Sequence, residues 1–339
     1  MANVLRLVST LAILVILTGC ALGKNASLLH DQAVDRSHHS CIDVTQYGAV
    51  GNGVADDTDA IQKAVAAAAK LSPPLRGHVC VPGGTYMVRA YVPDRTLCPS
   101  PLNESTEKIC GIALPSETQL SMTPHTRIVI FPTKSGSYSA IPIWNQHDVV
   151  VTGGTIVGER DQHLTGCPSQ GKCAPGEWGF GVDVRSSQHV NIKNVTATKF
   201  WGDGFYLGRA SVVNSNNQDI RIVDSAATYN RRDGLSLINC IDCRIEHNLF
   251  SDNRGTAPGA GIDLEPNLGD TVRNTIIEGN RVVNNAAGIQ IVQADANSVK
   301  GNTIEWNESD DVKIVGAASQ ANLNISLHNR YPLKGTGTF

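Results

Sequence analysis

The chain has 339 residues, of which 41% are hydrophobic and 17% charged, with 32 glycines, nine cysteines and a net charge of −3. That length and apolar content suffice for a sizeable core, which excludes a disordered chain or a minimal disulfide-held peptide. The slightly acidic balance and scattered basic residues argue against a nucleic-acid groove.

In chain order, Arg6 precedes an apolar stretch from Leu7 to Leu17, followed by Leu17-Thr18-Gly19-Cys20. The run is too short and too early for a transmembrane span, so it reads as an export signal. The stretch resembles the lipobox of bacterial lipoproteins. On that resemblance residues 1–20 are a lipoprotein signal peptide and Cys20 is the lipidated mature N-terminus. Ala21 then directs the protein to the outer membrane, with the lipid anchor as its one membrane attachment. A plain secretory signal cut nearby is the alternative. Residues 21–40 are polar, carry His30, His38 and His39, and read as a flexible tether.

Setting Cys20 aside leaves an even eight cysteines, as expected of an exported, disulfide-bonded protein. Cys98 with Cys110 and Cys167 with Cys173 suit staples across loops, and Cys240 with Cys243 a clamp on one turn. A metal site is the rival reading of Cys240-x-x-Cys243, against which stands the lack of a second pair at ligand spacing.

From residue 41 a β-rich domain is expected to run to residue 339. Asp57 or Thr58 can cap a short helix whose Ile61, Val65 and Ala68 share one face. Such a helix would plug the open end of a solenoid. Asp43-Val44-Thr45-Gln46-Tyr47-Gly48, Gly53-Val54-Ala55-Asp56-Asp57-Thr58-Asp59-Ala60-Ile61-Gln62 and Val79-Cys80-Val81-Pro82-Gly83-Gly84-Thr85-Tyr86 together resemble the N-terminal signature of the pectate-lyase-like superfamily. That group includes polygalacturonases and rhamnogalacturonases. The resemblance implies an all-β, right-handed parallel β-helix with a short N-terminal capping helix, acting on a polysaccharide.

The second half supports this fold from its own pattern. A glycine followed by apolar-polar-apolar residues recurs at Gly181, Gly204, Gly234, Gly261 and Gly288, spaced 23, 30, 27 and 27 residues apart. A period near 25 with one short strand per repeat marks a solenoid. Alternation then sends Val182, Phe205, Leu235, Ile262 and Ile289 inward, with Val184, Leu207, Leu237, Leu264 and Ile291 beside them. Asn194, Asn248, Asn280 and Asn302 are placed at turns, where asparagine tolerates the left-handed region.

The outward positions of the same strands carry the chemistry. Asp203 and Asp233 precede their glycines one coil apart, and Asp263 and Glu265 lie on one face of one strand. Close carboxylates push at least one pKa upward, so one can stay protonated as a donor while its neighbour remains ionised. Asp233 is the expected acid, Asp203 and Asp263 the base candidates, and Glu265 a support. Trp178, Trp201 and Tyr206 offer faces for sugar stacking, Arg231 and Arg232 bidentate grips for carboxylated sugars, and His163 a contact from the 159–179 loop.

Polygalacturonases, which this register resembles, carry Asn-Thr-Asp, Asp-Asp, Gly-His-Gly and Arg-Ile-Lys on successive coils. Here Trp201-Gly202-Asp203 and Arg232-Asp233 keep one aspartate each, Gly259-Ala260-Gly261 lacks the histidine, and Gln290-Ile291-Val292 lacks both basic residues. Three readings follow: a cofactor-free glycoside hydrolase on a uronate-containing glycan, acting as a monomer; a polysaccharide lyase with Ca²⁺ on Asp203, Asp233 and Asp263 and Arg231 or Arg232 as base; or a non-catalytic glycan-binding lipoprotein.

Overall fold

The repeat folds as its alternation dictates. The computed structural model describes residues 41–71, 77–90, 111–164, 176–210, 213, 215–292, 298–300, 302–305, 307–309 and 312–315. Cys20, the 21–40 segment, Cys98, Cys110, Cys167, Cys173 and the chain after residue 315 lie outside them. Each coil contributes strands to three parallel sheets, and the pairing runs from coil to coil. The domain is a parallel β-helix, all-β among the described residues apart from one α-helix and short 3₁₀ turns. Among the described residues no helix is long and apolar enough to cross a membrane.

One sheet bears the glycine-led strands. In order it comprises β1 (Ser137–Trp144), β2 (Trp178–Arg185), β3 (Phe205–Gly208), β4 (Leu235–Leu237), β5 (Ala260–Leu264), β6 (Ala287–Val292) and β7 (Val312–Val315). Val182 pairs with Phe205, Phe205 with Leu235, Leu235 with Ile262 and Ile262 with Ile289. Both inward columns are buried and join one core that runs the length of the stack. Glycine is required where the turn meets that core: a Cβ on Gly261 would stand 2.3 Å from Val282 Cγ1, and one on Gly234 2.6 Å from Gly261 O.

The helix α1 (Thr58–Ala68) buries Ile61, Ala64, Val65 and Ala68 and packs on the strands Ile42–Asp43 and His78–Val81. Asp57 precedes it without capping it by its side chain. Its carboxylate instead accepts the Val50 and Gly51 N–H groups at 2.6 and 3.3 Å, tying the preceding loop to the helix start. A disulfide joins Cys41 to Cys80, and the expected clamp joins Cys240 to Cys243, which removes the metal reading of that pair.

Asparagine serves two purposes rather than one. Asn194 takes the left-handed turn position with φ 57°, in a column continued by Asp224, His247 and Gly279. Asn248, Asn280 and Asn302 are instead buried in a ladder. Asn280 Oδ1 accepts the Asn248 N–H and Asn302 Oδ1 the Asn280 N–H, both at 2.9 Å. A second ladder, Asn230–Asn253–Asn285–Asn307, lines the turns that enter the glycine-led sheet. Burying these amides costs little because each is paired.

Candidate carboxylate site on the glycine-led sheet

The outward face of β2–β6 carries the column Asp183, Tyr206, Ser236, Asp263 and Gln290, paired strand to strand. Asp203 and Asp233 sit at the entrance to β3 and β4. Their Oδ1 atoms continue the ladder sideways, accepting the N–H of Asp233 at 3.0 Å and of Ala260 at 2.7 Å respectively. Both Oδ2 atoms turn to one hydroxyl and one guanidinium. Ser236 Oγ lies 2.9 Å from Asp203 Oδ2 and 3.1 Å from Asp233 Oδ2, and Arg232 Nη1 lies 3.1 Å from each.

Asp263 completes the cluster. Its Oδ1 accepts from Gln290 Nε2 at 3.1 Å, while Arg232 Nη2 stands 3.8 Å from Oδ2. That Oδ2 is buried and has no hydrogen-bond partner, and the same holds for Arg232 Nε. All three carboxylates are fully buried, with the Arg232 side chain 13% exposed above them.

Three buried carboxylates around one guanidinium cannot all be ionised at low cost. Burial raises the Asp203 pKa, with Arg232 pulling it partly back. Burial and then the neighbouring Asp203 charge push Asp233 well above the carboxylate range. Asp263 is raised to about 7 by burial and by Glu265. Burial opposes the Arg232 charge, but the surrounding aspartates outweigh it and hold that pKa above the usual arginine value. Geometry agrees: Ser236 has one proton to donate, so a short contact to both carboxylates is satisfied when one of them is protonated.

The structure thus brings Asp203, Asp233 and Asp263 together and leaves Glu265 just past the end of β5, half-buried, with no ion pair or hydrogen bond to its side chain among the described residues. The two arginines depart from the sequence expectation. Arg232 is spent on the aspartates rather than on a substrate carboxylate. Arg231 points the other way from the same turn, donating to Gly176 O at 2.8 Å and Trp201 O at 3.3 Å, with its guanidinium 4.0 Å from the Trp201 ring centroid.

Trp201 is therefore not an open stacking face. His163 covers it too, stacked at 3.6 Å and 9°. Nor is His163 a free loop histidine: its Nδ1 lies 2.9 Å from Glu159 Oε2, and both side chains are almost wholly buried. Burial raises the Glu159 pKa, with His163 and Tyr138 moderating it. Tyr206 stacks on Phe180 at 4.3 Å with Arg185 above it, so one face is taken; burial, more than the Asp183 charge, pushes its hydroxyl up to about 12. Trp178, at 52% exposure, remains open.

A second charge pair occupies the N-terminal side of this face. Asp183 accepts from Ser139 Oγ at 2.5 Å and from Arg185 Nε at 2.8 Å, and Arg185 also lies over Trp144. Ser236, Gln290 and Asp183 all stand in the outward column, so strand alternation was signal enough to find them. Glu159 stood out only as part of the Glu159–His163 run after the VVVTGGTIVG strand, and Tyr138 gave no signal, because the 159–163 segment meets Trp201 through tertiary packing alone.

Comparison with known proteins agrees with this architecture. The family described as "Right handed beta helix region" matches residues 178–304, and "Rhamnogalacturonase A/epimerase, pectate lyase-like" matches residues 41–107. An uncharacterized protein of Bacillus subtilis is 29% identical over 66% of this chain and 38% of its own length. The chain thus spans well under half of that curated relative. The N-terminal fragment of gene product 12 of bacteriophage phi29 superposes with TM-score 0.62 at 22% identity, covering 84% of this chain and 46% of that one. The A-module of a mannuronan C-5 epimerase of Azotobacter vinelandii gives 0.54 at 18% identity, over 80% and 72%. At these identities the structural likeness concerns the fold.

Proposed function

The chain belongs to the pectate-lyase-like superfamily of right-handed parallel β-helix proteins, and on that premise we propose that it hydrolyses a polysaccharide held across β3–β6. One observation carries the reading: a buried cluster of three aspartates around one guanidinium, in which Asp263 Oδ2 has no hydrogen-bond partner and burial raises the Asp263 pKa to about 7. Asp263, rather than Asp233, is then the proton donor to the glycosidic oxygen, because Asp233 Oδ1 and Oδ2 are both engaged within the protein. Glu265, two residues along the same face at about 6–7 Å between Cα atoms, is the base that activates water. Asp203, Asp233 and Ser236 hold the cluster's charge and proton in place, and Trp178 offers its face to a neighbouring sugar. Export as an outer-membrane lipoprotein through Cys20, and action as a monomer, are part of the same proposal.

Elimination with Ca²⁺ is a poorer fit. Ca²⁺ takes six to eight oxygen ligands, whereas the space between the three aspartates holds the Arg232 guanidinium, which only donates. Burial lowers the Arg231 pKa, yet its Nη1 already donates to two main-chain carbonyls and has no lone pair to offer as a base. A binding role without turnover is the second reading. It is favoured by the complete burial of Asp203, Asp233 and Asp263, and by relatives named as a pre-neck appendage protein of phage phi29 and a plasmin- and fibronectin-binding protein of Streptococcus pneumoniae.

The test is incubation with a panel of neutral, amino and uronate polysaccharides, with and without EDTA, reading reducing ends and the ultraviolet absorbance of unsaturated product. Reducing ends alone, indifferent to EDTA, support hydrolysis. Absorbance abolished by EDTA supports elimination, and binding without either product supports the adhesive role.

A further inference from the structure

Resting on the reading of the protein as one that engages a polysaccharide, we infer that the corner between its other two sheets is a second, non-catalytic glycan site, and that the chain it holds carries carboxylated sugars. A cleft of about 530 Å³ lies outside the turns where the strands Gln188–Lys193, Gln218–Val223, Arg244–Glu246 and Ile276–Glu278 pass into Thr196–Thr198, Ala226–Thr228, Leu249–Ser251 and Arg281–Val283. That volume suits a small ligand or a few sugar units. Four successive coils line the cleft, so it runs about 14 Å along the stack at one strand spacing per coil.

The repeat builds both walls. Each coil gives one left-handed turn residue to one side, in the column Asn194, Asp224, His247 and Gly279, and one strand residue to the other, in the column Thr196, Ala226, Leu249 and Arg281. Ala226 leaves the floor low, Leu249 beside it offers an apolar surface to a sugar ring, and the Asn194 amide and Thr196 hydroxyl can bond to sugar hydroxyls. Gly279 shapes the far end. A Cβ there would stand 2.8 Å from His247 Cδ2 and 3.1 Å from Nε2, so the imidazole lies across the next coil because that position is glycine. The same coil carries Arg281.

Charge selects the ligand. Asp224 is opposed by Lys193 Nζ at 3.7 Å, and Glu246 on the flanking sheet by Arg244 Nη1 at 3.2 Å. Glu278, paired across from Glu246, stands on that flanking sheet and does not line the cleft. His247 and Arg281 are exposed at one end of the cleft, and neither side chain has a hydrogen bond or ion pair among the described residues. Arg281 therefore presents the open fork that a carboxylate needs. Arg185, Arg231 and Arg232 beside the glycine-led sheet are already engaged. A uronate whose carboxylate meets Arg281 and the His247 ring gains at both cations, whereas a neutral sugar leaves them to water.

Calorimetric titration of the whole protein at about pH 7 and low salt, with oligomers of galacturonate, of mannuronate and of neutral cellulose, tests the assignment. A uronate oligomer should bind the parent more tightly than the neutral one. Arg281→Gln should weaken it about tenfold, as expected for losing a charge-assisted bond. Ala226→Phe, which fills the floor with a residue that suits a strand, should weaken it at least as much, with the melting temperature confirming that both variants fold. Lys313→Gln removes an equal charge on the glycine-led sheet and should leave binding unchanged. No uronate bound by the parent, neutral oligomers bound as tightly, or Lys313→Gln as damaging as Arg281→Gln overturns the assignment. The two proposals fail separately: uronate bound in the cleft with no glycan cleaved removes the hydrolase and keeps the cleft, whereas a glycan cleaved by a protein whose Arg281→Gln variant titrates like the parent does the reverse.

Discussion

Asp203 Oδ1 accepts the main-chain N–H of Asp233 at 3.0 Å, so the first aspartate of the cluster positions the second. Asp233 passes the same bond on to Ala260 at 2.7 Å. Each therefore splits its two oxygens between the sheet ladder and the Arg232 side, and this division predicts different responses to amide substitution.

Burial pushes the Asp233 carboxyl well above the usual carboxylate range, and if it is the protonated member of the cluster an asparagine amide keeps its acceptor toward Ala260 N–H and a donor toward Ser236 Oγ. Asp233→Asn should leave stability within about 1 kcal/mol of the parent, while Asp203→Asn, which sets an NH₂ against either Arg232 or the Asp233 N–H, should lose about 1–3 kcal/mol. Urea unfolding at neutral pH measures both, and the reverse order would refute the protonation pattern.

Arg232 is the internal counter-ion. Replacing it by methionine leaves three buried carboxylates without a cation, a change worth about 3–5 kcal/mol when a buried pair is broken. The loss should be greatest above about pH 8 and shrink toward about pH 5, as the carboxylates take up protons. A loss that does not vary with pH would show that Arg232 stabilises by packing alone.

Stability of the parent protein should itself depend on pH in an uncommon direction. Asp203, Asp233 and Asp263 have folded-state pKa values above those of the unfolded chain, with Asp263 at about 7. The folded state thus holds more protons than the unfolded one through this window. The contribution of these groups is complete below the unfolded value near 4 and is lost as pH rises through the folded values. The melting temperature should fall between about pH 5 and pH 8, and the Asp263→Asn variant should show a shallower fall. A parent curve that rises over this range would mean the cluster is ionised throughout.

The asparagine columns separate ladder from turn. Asn253 accepts from Asn230 N and Nδ2 and donates to Ala227 O and Asn285 Oδ1, so Asn253→Ala should cost about 2–4 kcal/mol. Asn194 is exposed at φ 57°, so Asn194→Gly should be close to neutral and Asn194→Ala should cost about 1–2 kcal/mol. Equal effects at the two sites would dissolve the distinction.

Most of the stack was legible because strand alternation and the glycine period state it outright: both inward columns and the gathering of Asp203, Asp233 and Asp263 follow from them. The second asparagine ladder was equally available, since Asn253, Asn285 and Asn307 each fall five residues after Asn248, Asn280 and Asn302. What the pattern could not show is the direction of side chains in irregular turns. Arg231 and Arg232 read as one basic pair, yet neighbouring turn residues diverge, one toward Trp201 and the other into the aspartates. The burial of His163 between Glu159 and Trp201 likewise depends on a loop whose path no periodicity specifies.

The most direct test of the central claim is the pH dependence of kcat/KM on whichever glycan of the panel is cleaved, for the parent and for Asp263→Asn. If Asp263 donates the proton, the parent rate falls about tenfold per pH unit above about 7, and the variant loses that limb together with at least about a hundredfold of its rate. A rate that is flat from about pH 5 to 9, or an Asp263→Asn protein with the parent's activity and profile, would contradict the account.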